Sequence, residues 1–283
     1  MIYPHESQSA EEVAGHYNSL DKYYRKLWGE HVHHGFWKTG RETVLKATEQ
    51  LIDLVIETGK IERDSKVCDV GCGYGATSRY LAKKKGAEVT SLTLSQSQWQ
   101  YARLHDPEST NPHYLLGDFL HNTLPSNSFD VVLSIESSEH MVDKEKFFME
   151  VNRILKPGGI FVTCAWLSAN TPAPWEIKHL LEPICREGRL PSMGSENDYR
   201  QMMASAGLSK IQFEDISSSV KKTWAICSYR VTKGFFADSS IRKLLLNKNA
   251  SDRVFAKTIF RIWMAYNTKS MVYGLLSAVK PKI

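Results

Sequence analysis

The sequence predicts an α/β fold in which a mostly parallel sheet is covered by helices on both faces. Three observations carry this reading. From Lys66 onward, short apolar runs alternate with segments of helical period, and a glycine-rich turn directly follows the first run. A composition of 42% hydrophobic and 24% charged residues over 283 residues suffices for a sizeable core and excludes disordered, collagen-like and disulfide-dense classes. Crossovers that pack back onto a parallel sheet share one hand, so strands and helices alternating in this way place helices on both faces.

Taken in order, Ser9 with Glu12 makes a capping-box pattern, and apolar residues at mixed helical spacing up to Trp28 predict an N-terminal helix. Val44, Ala47, Leu51 and Val55 recur at three and four residues, and Gly59 stands where a helix stops, which predicts a second. Between them lies Gly29-Glu30-His31-Val32-His33-His34-Gly35-Phe36-Trp37, too rich in histidine, glycine and aromatics for an ordinary linker. The alternating region reads as strand Val67–Val70, helix Ser78–Lys84, strand Val89–Leu94, helix Ser95–Leu104, strand Val131–Ile135 and helix Asp143–Leu155. The turn Lys156-Pro157-Gly158-Gly159 ends that helix and feeds the strand Ile160–Ala165. After Trp166 come a Pro-rich stretch (Pro172, Pro174, Pro183, Pro191), a helix near Glu196–Ala206, a strand at Ile211–Ile216, a basic helical region and a closing strand at Val272–Val279. These shifts divide the chain into N-terminal lid helices over 1–60, a core over 61–166, and cap insertions with the last two strands over 167–283.

The five cysteines (Cys68, Cys72, Cys164, Cys185, Cys227) are odd in number and form no C-x-x-C pair, so neither a disulfide framework nor a metal site is expected. No apolar stretch approaches the length of a spanning helix, and the first thirty residues lack the apolar run of a signal peptide, so a soluble, cytoplasmic protein is expected. Residues 241–283 hold nine Lys and Arg against the single Asp252, a local +8 that leaves the remainder at −3. Phe255, Ile259, Phe260, Ile262, Trp263 and Tyr266 interleave those charges at helical spacing. One reading is peripheral contact with a membrane surface; the plainer one is a helix packed by its apolar face with lysines in solvent.

Val67-Cys68-Asp69-Val70-Gly71-Cys72-Gly73-Tyr74-Gly75 is a strand, then glycines at alternate positions, then a helix. Glycine lets the chain turn sharply and lets a ligand approach the main chain, and the following helix points N–H groups at it. The spacing is G-x-G-x-G rather than the dinucleotide fingerprint G-x-G-x-x-G, with an acid two residues before the first glycine. This segment resembles motif I of class I S-adenosylmethionine (SAM)-dependent methyltransferases, and the later segments agree in order. The resemblance implies a Rossmann-like, seven-stranded, mostly parallel sheet whose final strand is antiparallel, with SAM as cofactor. By position it places Asp69, Gly71 and Gly73, with Cys72 between them, at the methionine part of SAM. At the end of the second strand Thr93 stands where an acid is usual; Thr93, Leu94 and Gln98 resemble the branch of cyclopropane-fatty-acid synthases and tocopherol methyltransferases, where such residues contact the cofactor. Asp118 and Phe119 resemble the adenine clamp. Ile135 opens the run Ile135-Glu136-Ser137-Ser138-Glu139-His140-Met141 at the carboxyl edge of the sheet, where open α/β sheets bind ligands.

GEHVHHGFW, IESSEHM, KPGG and YGLLSAVKP resemble γ-tocopherol C-methyltransferases and related small-molecule methyltransferases over residues 23–280. That branch methylates carbon in prenylated quinols and nitrogen in alkaloids, so a small, hydrophobic acceptor is expected: a prenyl quinol, a phenol or a hydrophobic amine. Methylation of a small polar metabolite, or SAM binding without turnover at a membrane surface, are the alternatives. Nucleic acid is not expected as a partner, because no basic patch accompanies the core motifs. An acceptor of this kind loses a proton, which a histidine or carboxylate can take. The candidates are His33, His34, Glu136, Glu139 and His140. For the histidine pair the plainer reading is hydrogen bonding to the main chain; for the glutamates it is loop ordering. His140 matches one of the paired histidines of related sugar O-methyltransferases, with Glu139 in place of the other. Tyr17, Tyr23 and Tyr24 either face the sulfonium or simply pack. Trp166, Trp175, Trp224, Trp263 and Met271 suggest an apolar acceptor pocket.

Overall fold

The computed structural model describes residues 1–27, 29–106, 110–239, 242 and 255–282. Seven strands form one sheet in the order β3-β2-β1-β4-β5-β7-β6. They are β1 (Lys66–Val70), β2 (Glu88–Thr93), β3 (His113–Leu116), β4 (Phe129–Ile135), β5 (Leu155–Ser168), β6 (Ser209–Asp215) and β7 (Met271–Val279). The pairs β1–β2, β1–β4, β2–β3 and β4–β5 are parallel, whereas β7 runs antiparallel to both neighbours. This is the mostly parallel sheet with an antiparallel final strand that the sequence predicts.

Alternation along the central strands divides the core. Val67, Val131 and Leu133 face one apolar cluster with Leu51, Ile52 and Val55 of helix α2 (Val44–Gly59). Cys68, Val70 and Val132 face another. A strand turns successive side chains to opposite faces, so both faces of the sheet are buried. Two helices precede the sheet, α1 (Ala10–Leu27) and α2. Helices α3 (Ala76–Tyr80), α4 (Gln96–His105) and α5 (Lys144–Ile154) are the crossovers. Asp143, the residue before α5, caps it by accepting from Lys146 N–H, and α5 buries Phe147, Phe148, Val151 and Ile154. Truncating a fully buried phenylalanine such as Phe148 costs about 3–5 kcal/mol.

Between β5 and β6 come α6 (Pro174–Glu176), α7 (Glu182–Glu187) and α8 (Glu196–Ser205); between β6 and β7 come α9 (Ser217–Val220), α10 (Lys222–Ala237) and α11 (Phe255–Thr268). α7 and α10 both pack on α11. Three details differ from the sequence reading. The strand β3 was not anticipated, being four residues long and at the sheet edge. The helix expected over Ser78–Lys84 begins at Ala76 and passes into a π turn at Leu81–Lys85. The turn at Lys156–Gly159 is a register shift inside β5 rather than a break before it.

Candidate active site

The strand order reverses between β2-β1 and β4-β5, so a crevice opens at the carboxyl ends of β1 and β4. Gly71, Gly73 and Gly75 hold φ of +79°, +54° and +78°, which a Cβ would strain. A Cβ on Gly71 would lie 2.2 Å from the Cβ of Ser137, which is pinned by its hydroxyl to the Val70 carbonyl. At Gly73 and Gly117, by contrast, nothing lies within 4 Å of that position. Both glycines line a cavity of about 700 Å³ with Thr93, Leu94, Gln98, Phe119 and Ile135. Thr93 Oγ1 donates to Gln98 Oε1 (2.9 Å), tying the end of β2 to the first turn of α4. Asp69 and Cys72 lie on the wall of an adjoining recess that also includes Gly71, Gly73 and Ile135. Asp69 is buried; burial raises its carboxyl to about 6 even though Ser78 donates to it (2.6 Å). The cavity wall does not include Asp118: its carboxylate accepts from Leu120 N–H and contacts His121 Nδ1, capping the short turn that carries Phe119.

A second cavity of about 640 Å³ adjoins the first, and Tyr17, Val32, Glu136 and His140 line both. Its own walls include Tyr24, His34, Glu139, Trp166, Leu190, Trp224 and Ile262. Trp175 and Trp263 are half-exposed and Met271 is buried elsewhere, so of the five apolar residues singled out in the sequence only Trp166 and Trp224 reach this cavity. The side chains of Tyr23 and Phe255 and the whole segment 243–254 lie outside the described residues.

Glu136 is the hub of the second cavity. Its φ of +52° is unusual for a side-chain-bearing residue, a strain of the kind held at functional sites by surrounding bonds. Oε1 accepts from His34 N–H (2.6 Å), His34 Nδ1–H (2.9 Å) and Tyr273 O–H (2.7 Å), and Oε2 from Trp166 Nε1–H (3.0 Å). Burial opposes ionisation, but His34 overcomes it and holds the Glu136 carboxyl at about 2. Trp224 Nε1–H donates to His34 Nε2 (2.6 Å), so both ring nitrogens of His34 are engaged. His33 does not line this cavity; its Nδ1–H donates to the His34 carbonyl (2.8 Å).

His140 and Glu139 are the less constrained groups. His140 Nδ1–H donates to the Arg189 carbonyl (3.3 Å), which leaves a lone pair on Nε2, and Tyr17 O–H donates to it (2.9 Å). Burial pushes His140 down to about 4, so its ring is neutral at physiological pH. Glu139 accepts from Trp166 N–H and Ser138 O–H, and burial pushes it up to about 7. Lys144, lowered by burial to about 8, donates to the main-chain oxygens of Glu139 and Met141 and to Ser192. The Tyr17–His140 bond joins residues 123 positions apart, which no local pattern in the sequence reveals. Among the described residues, no group of three or more His, Cys, Asp or Glu is placed to hold a metal ion.

A methyltransferase-domain family model matches residues 68–163. The chain is 34% identical over 233 residues to a chloroplastic tocopherol O-methyltransferase of Arabidopsis thaliana, covering 75% of this chain and 67% of the relative. It is 31% identical over 222 residues to a sarcosine/dimethylglycine N-methyltransferase of Halorhodospira halochloris, covering 76% of this chain and 78% of the relative. The chain belongs to the class I SAM-dependent methyltransferases. The methyltransferase spans about two thirds of the length of the tocopherol methyltransferases it matches. Its fold is that of the mycolic acid cyclopropane synthase CmaA1 crystallised with SAH and CTAB, with a TM-score of 0.83 at 18% identity over 99% of each chain. The acceptors named for these relatives differ from one to the next, so the family establishes methyl transfer from SAM and a small-molecule acceptor, not a particular acceptor.

Proposed function

We propose that this methyltransferase transfers the methyl group of SAM to a small, hydrophobic acceptor, a prenyl quinol, phenol or hydrophobic amine, seated in the second cavity against the wall that Trp166 and Trp224 form. The observation that carries this is the shared wall: Tyr17, Val32, Glu136 and His140 border both cavities, so a molecule in each meets the other there. The larger cavity fits SAM because Gly73 and Gly117 leave open space where side chains would stand. Gly71, Gly73, Thr93, Leu94, Gln98, Phe119 and Ile135 hold it, with Asp69 and Cys72 at the adjoining recess and Asp118 fixing the turn under Phe119. When bound, SAM supplies a methyl carbon on a cationic sulfonium.

The chain's own residues position the acceptor and move its proton. Aromatic walls at Trp166, Trp224, Tyr17 and Tyr24 exclude water and orient an apolar body. The acceptor's O–H or N–H gives its proton to Tyr17 Oη as Tyr17 passes its own to His140 Nε2, or gives it to Nε2 directly after displacing the phenol. Glu139, ionised in part near neutrality, is the second proton acceptor. Glu136 and His34 act by holding the loop, since both ring nitrogens of His34 are engaged and Glu136 Oε1 accepts three hydrogen bonds there, and His33 braces the lid. Residues 1–60 then serve as a lid, 61–166 as the cofactor core, and 167–283 as the acceptor cap with the last strands. We place the protein in the cytoplasm, peripheral to a membrane through 241–283, where the exposed rings of Phe260 and Trp263 stack at 5.8 Å.

The test is label transfer from methyl-labelled SAM to a panel of prenylated quinols, simple phenols, hydrophobic amines and sarcosine. Label on an apolar member supports this reading. Label on sarcosine alone replaces it with N-methylation of a polar metabolite.

A further inference from the structure

The charges around the second cavity discriminate among the acceptor classes. Its wall carries two carboxylates, Glu136 and Glu139, and, among the described residues, no lysine or arginine. The nearby cations are engaged elsewhere. Lys144 Nζ donates to the main-chain oxygens of Glu139 and Met141 and to Ser192, Arg189 donates to Gln8, and Arg261 pairs with Glu187. His34 donates to Glu136 Oε1 from Nδ1–H and accepts from Trp224 at Nε2, which is the hydrogen-bonding pattern of a neutral ring. Glu136 thus keeps its charge through hydrogen bonds from His34, Tyr273 and Trp166 and brings it to the cavity without a counter-cation.

Much of the remaining wall is aromatic. The rings of Tyr17 and Tyr24 lie 5.4 Å apart, and those of Trp166 and Trp224 meet edge to face at 5.5 Å. Ring faces attract a cation, most strongly where water is excluded. Two of the three chemistries fit such a surrounding badly. A phenol or quinol gains negative charge on oxygen as its proton leaves, and a like charge already stands at Glu136. A zwitterion such as sarcosine brings a carboxylate for which the wall offers no cation. An aliphatic amine is protonated at neutral pH, so it meets carboxylates and ring faces of the complementary sign, while Leu190 and Ile262 accommodate its apolar body.

Resting on the assignment of the second cavity to an apolar acceptor, we infer that this acceptor is a hydrophobic amine that enters as its ammonium ion, facing Glu136, Glu139 and the rings of Tyr17, Tyr24, Trp166 and Trp224. The ammonium nitrogen gives one proton to Glu139 or to the Tyr17–His140 pair. Its freed electron pair forms the N–C bond to the methyl carbon as the S–C pair returns to sulfur. The nitrogen is cationic again at the end, so Glu136 faces a positive charge before and after transfer.

The test is calorimetry on the full chain saturated with S-adenosylhomocysteine, using three probes that share one apolar body: N-methylphenethylamine, its neutral ether isostere 2-methoxyethylbenzene, and 3-phenylpropionate. The amine is expected to bind at least about tenfold more tightly than the ether, and the carboxylate more weakly than both. Glu136→Gln should remove most of the amine's advantage and leave the ether's affinity unchanged, and Tyr24→Leu should weaken the amine selectively in the same way, with thermal melts reporting whether each variant is folded. Equal binding of amine and ether by the wild type, tighter binding of the ether or the carboxylate, or binding of none of the three would overturn the inference without recourse to a variant. A folded Glu136→Gln protein that keeps the full preference for the amine would overturn it as well. In the label-transfer panel, label on a quinol or phenol and on no amine overturns the inference and leaves the apolar-acceptor reading standing, whereas label on sarcosine alone sinks that reading itself.

Discussion

Glu139 couples the active site to stability in a way that can be worked from its surroundings. In the folded protein burial lifts its carboxyl to about 7 from the ordinary 4.5. At about 1.4 kcal/mol per pH unit, that gap corresponds to about 3 kcal/mol. A raised carboxyl means that the folded state keeps its proton where the unfolded chain has lost it. Stability is therefore highest below pH 4.5, declines as pH rises toward 7, and levels off above. Asp69, raised to about 6, declines in an overlapping window, whereas Lys144, lowered to about 8, recovers stability only as pH rises from there toward its ordinary 10.5. Glu139→Gln removes one contributor while keeping an acceptor for Trp166 N–H. Urea denaturation at pH 5, 6, 7 and 8 should show the variant gaining on the wild type by about 3 kcal/mol across that range. Curves that stay parallel would refute the claim that Glu139 titrates near neutrality because it is buried.

Two further expectations follow from geometry. Gly71→Ala should destabilise the fold, because a Cβ there meets Ser137 at 2.2 Å, while Gly73→Ala should cost only about 1–2 kcal/mol of backbone strain yet weaken S-adenosylhomocysteine binding at least about tenfold; melts and calorimetry separate the two. Phe260→Ser with Trp263→Ser should abolish co-sedimentation with anionic vesicles and leave methyl transfer to a soluble acceptor intact, and absence of vesicle binding by the wild type would remove the membrane proposal.

Much of the fold was legible because its signals are local. Val67–Val70, Val89–Leu94 and Val131–Ile135 are apolar runs of strand length; the first and third lie within β1 and β4, and the second overruns β2 by one residue, Leu94. The edge strand His113–Leu116 escaped because four residues with an exposed end carry no alternation. The cavity proposed for the cofactor has local signals for the same reason, since Gly71, Gly73, Thr93, Leu94 and Gln98, which line it together, sit at strand ends and turns that motif spacing marks. The second cavity was legible as a list of residues but not as a set of bonds. His34, Glu136, Trp224 and Tyr273 come from four distant segments, and only the folded chain shows that their polar atoms satisfy one another. Amphipathic aromatics misled in the cap, where the period that buries Ile259, Ile262 and Tyr266 leaves Phe260 and Trp263 outside.

The central claim is that proton removal from the acceptor runs through the Tyr17–His140 pair where the two cavities meet. It is tested most directly by kcat/KM for methyl transfer in the wild type, Tyr17→Phe, His140→Asn and the double variant. The account predicts a loss of about 10²–10⁴-fold for His140→Asn and a double variant scarcely worse than that single one, because the two groups act as a unit. Unchanged kcat/KM in His140→Asn, or losses in the two single variants that simply multiply in the double, would contradict it.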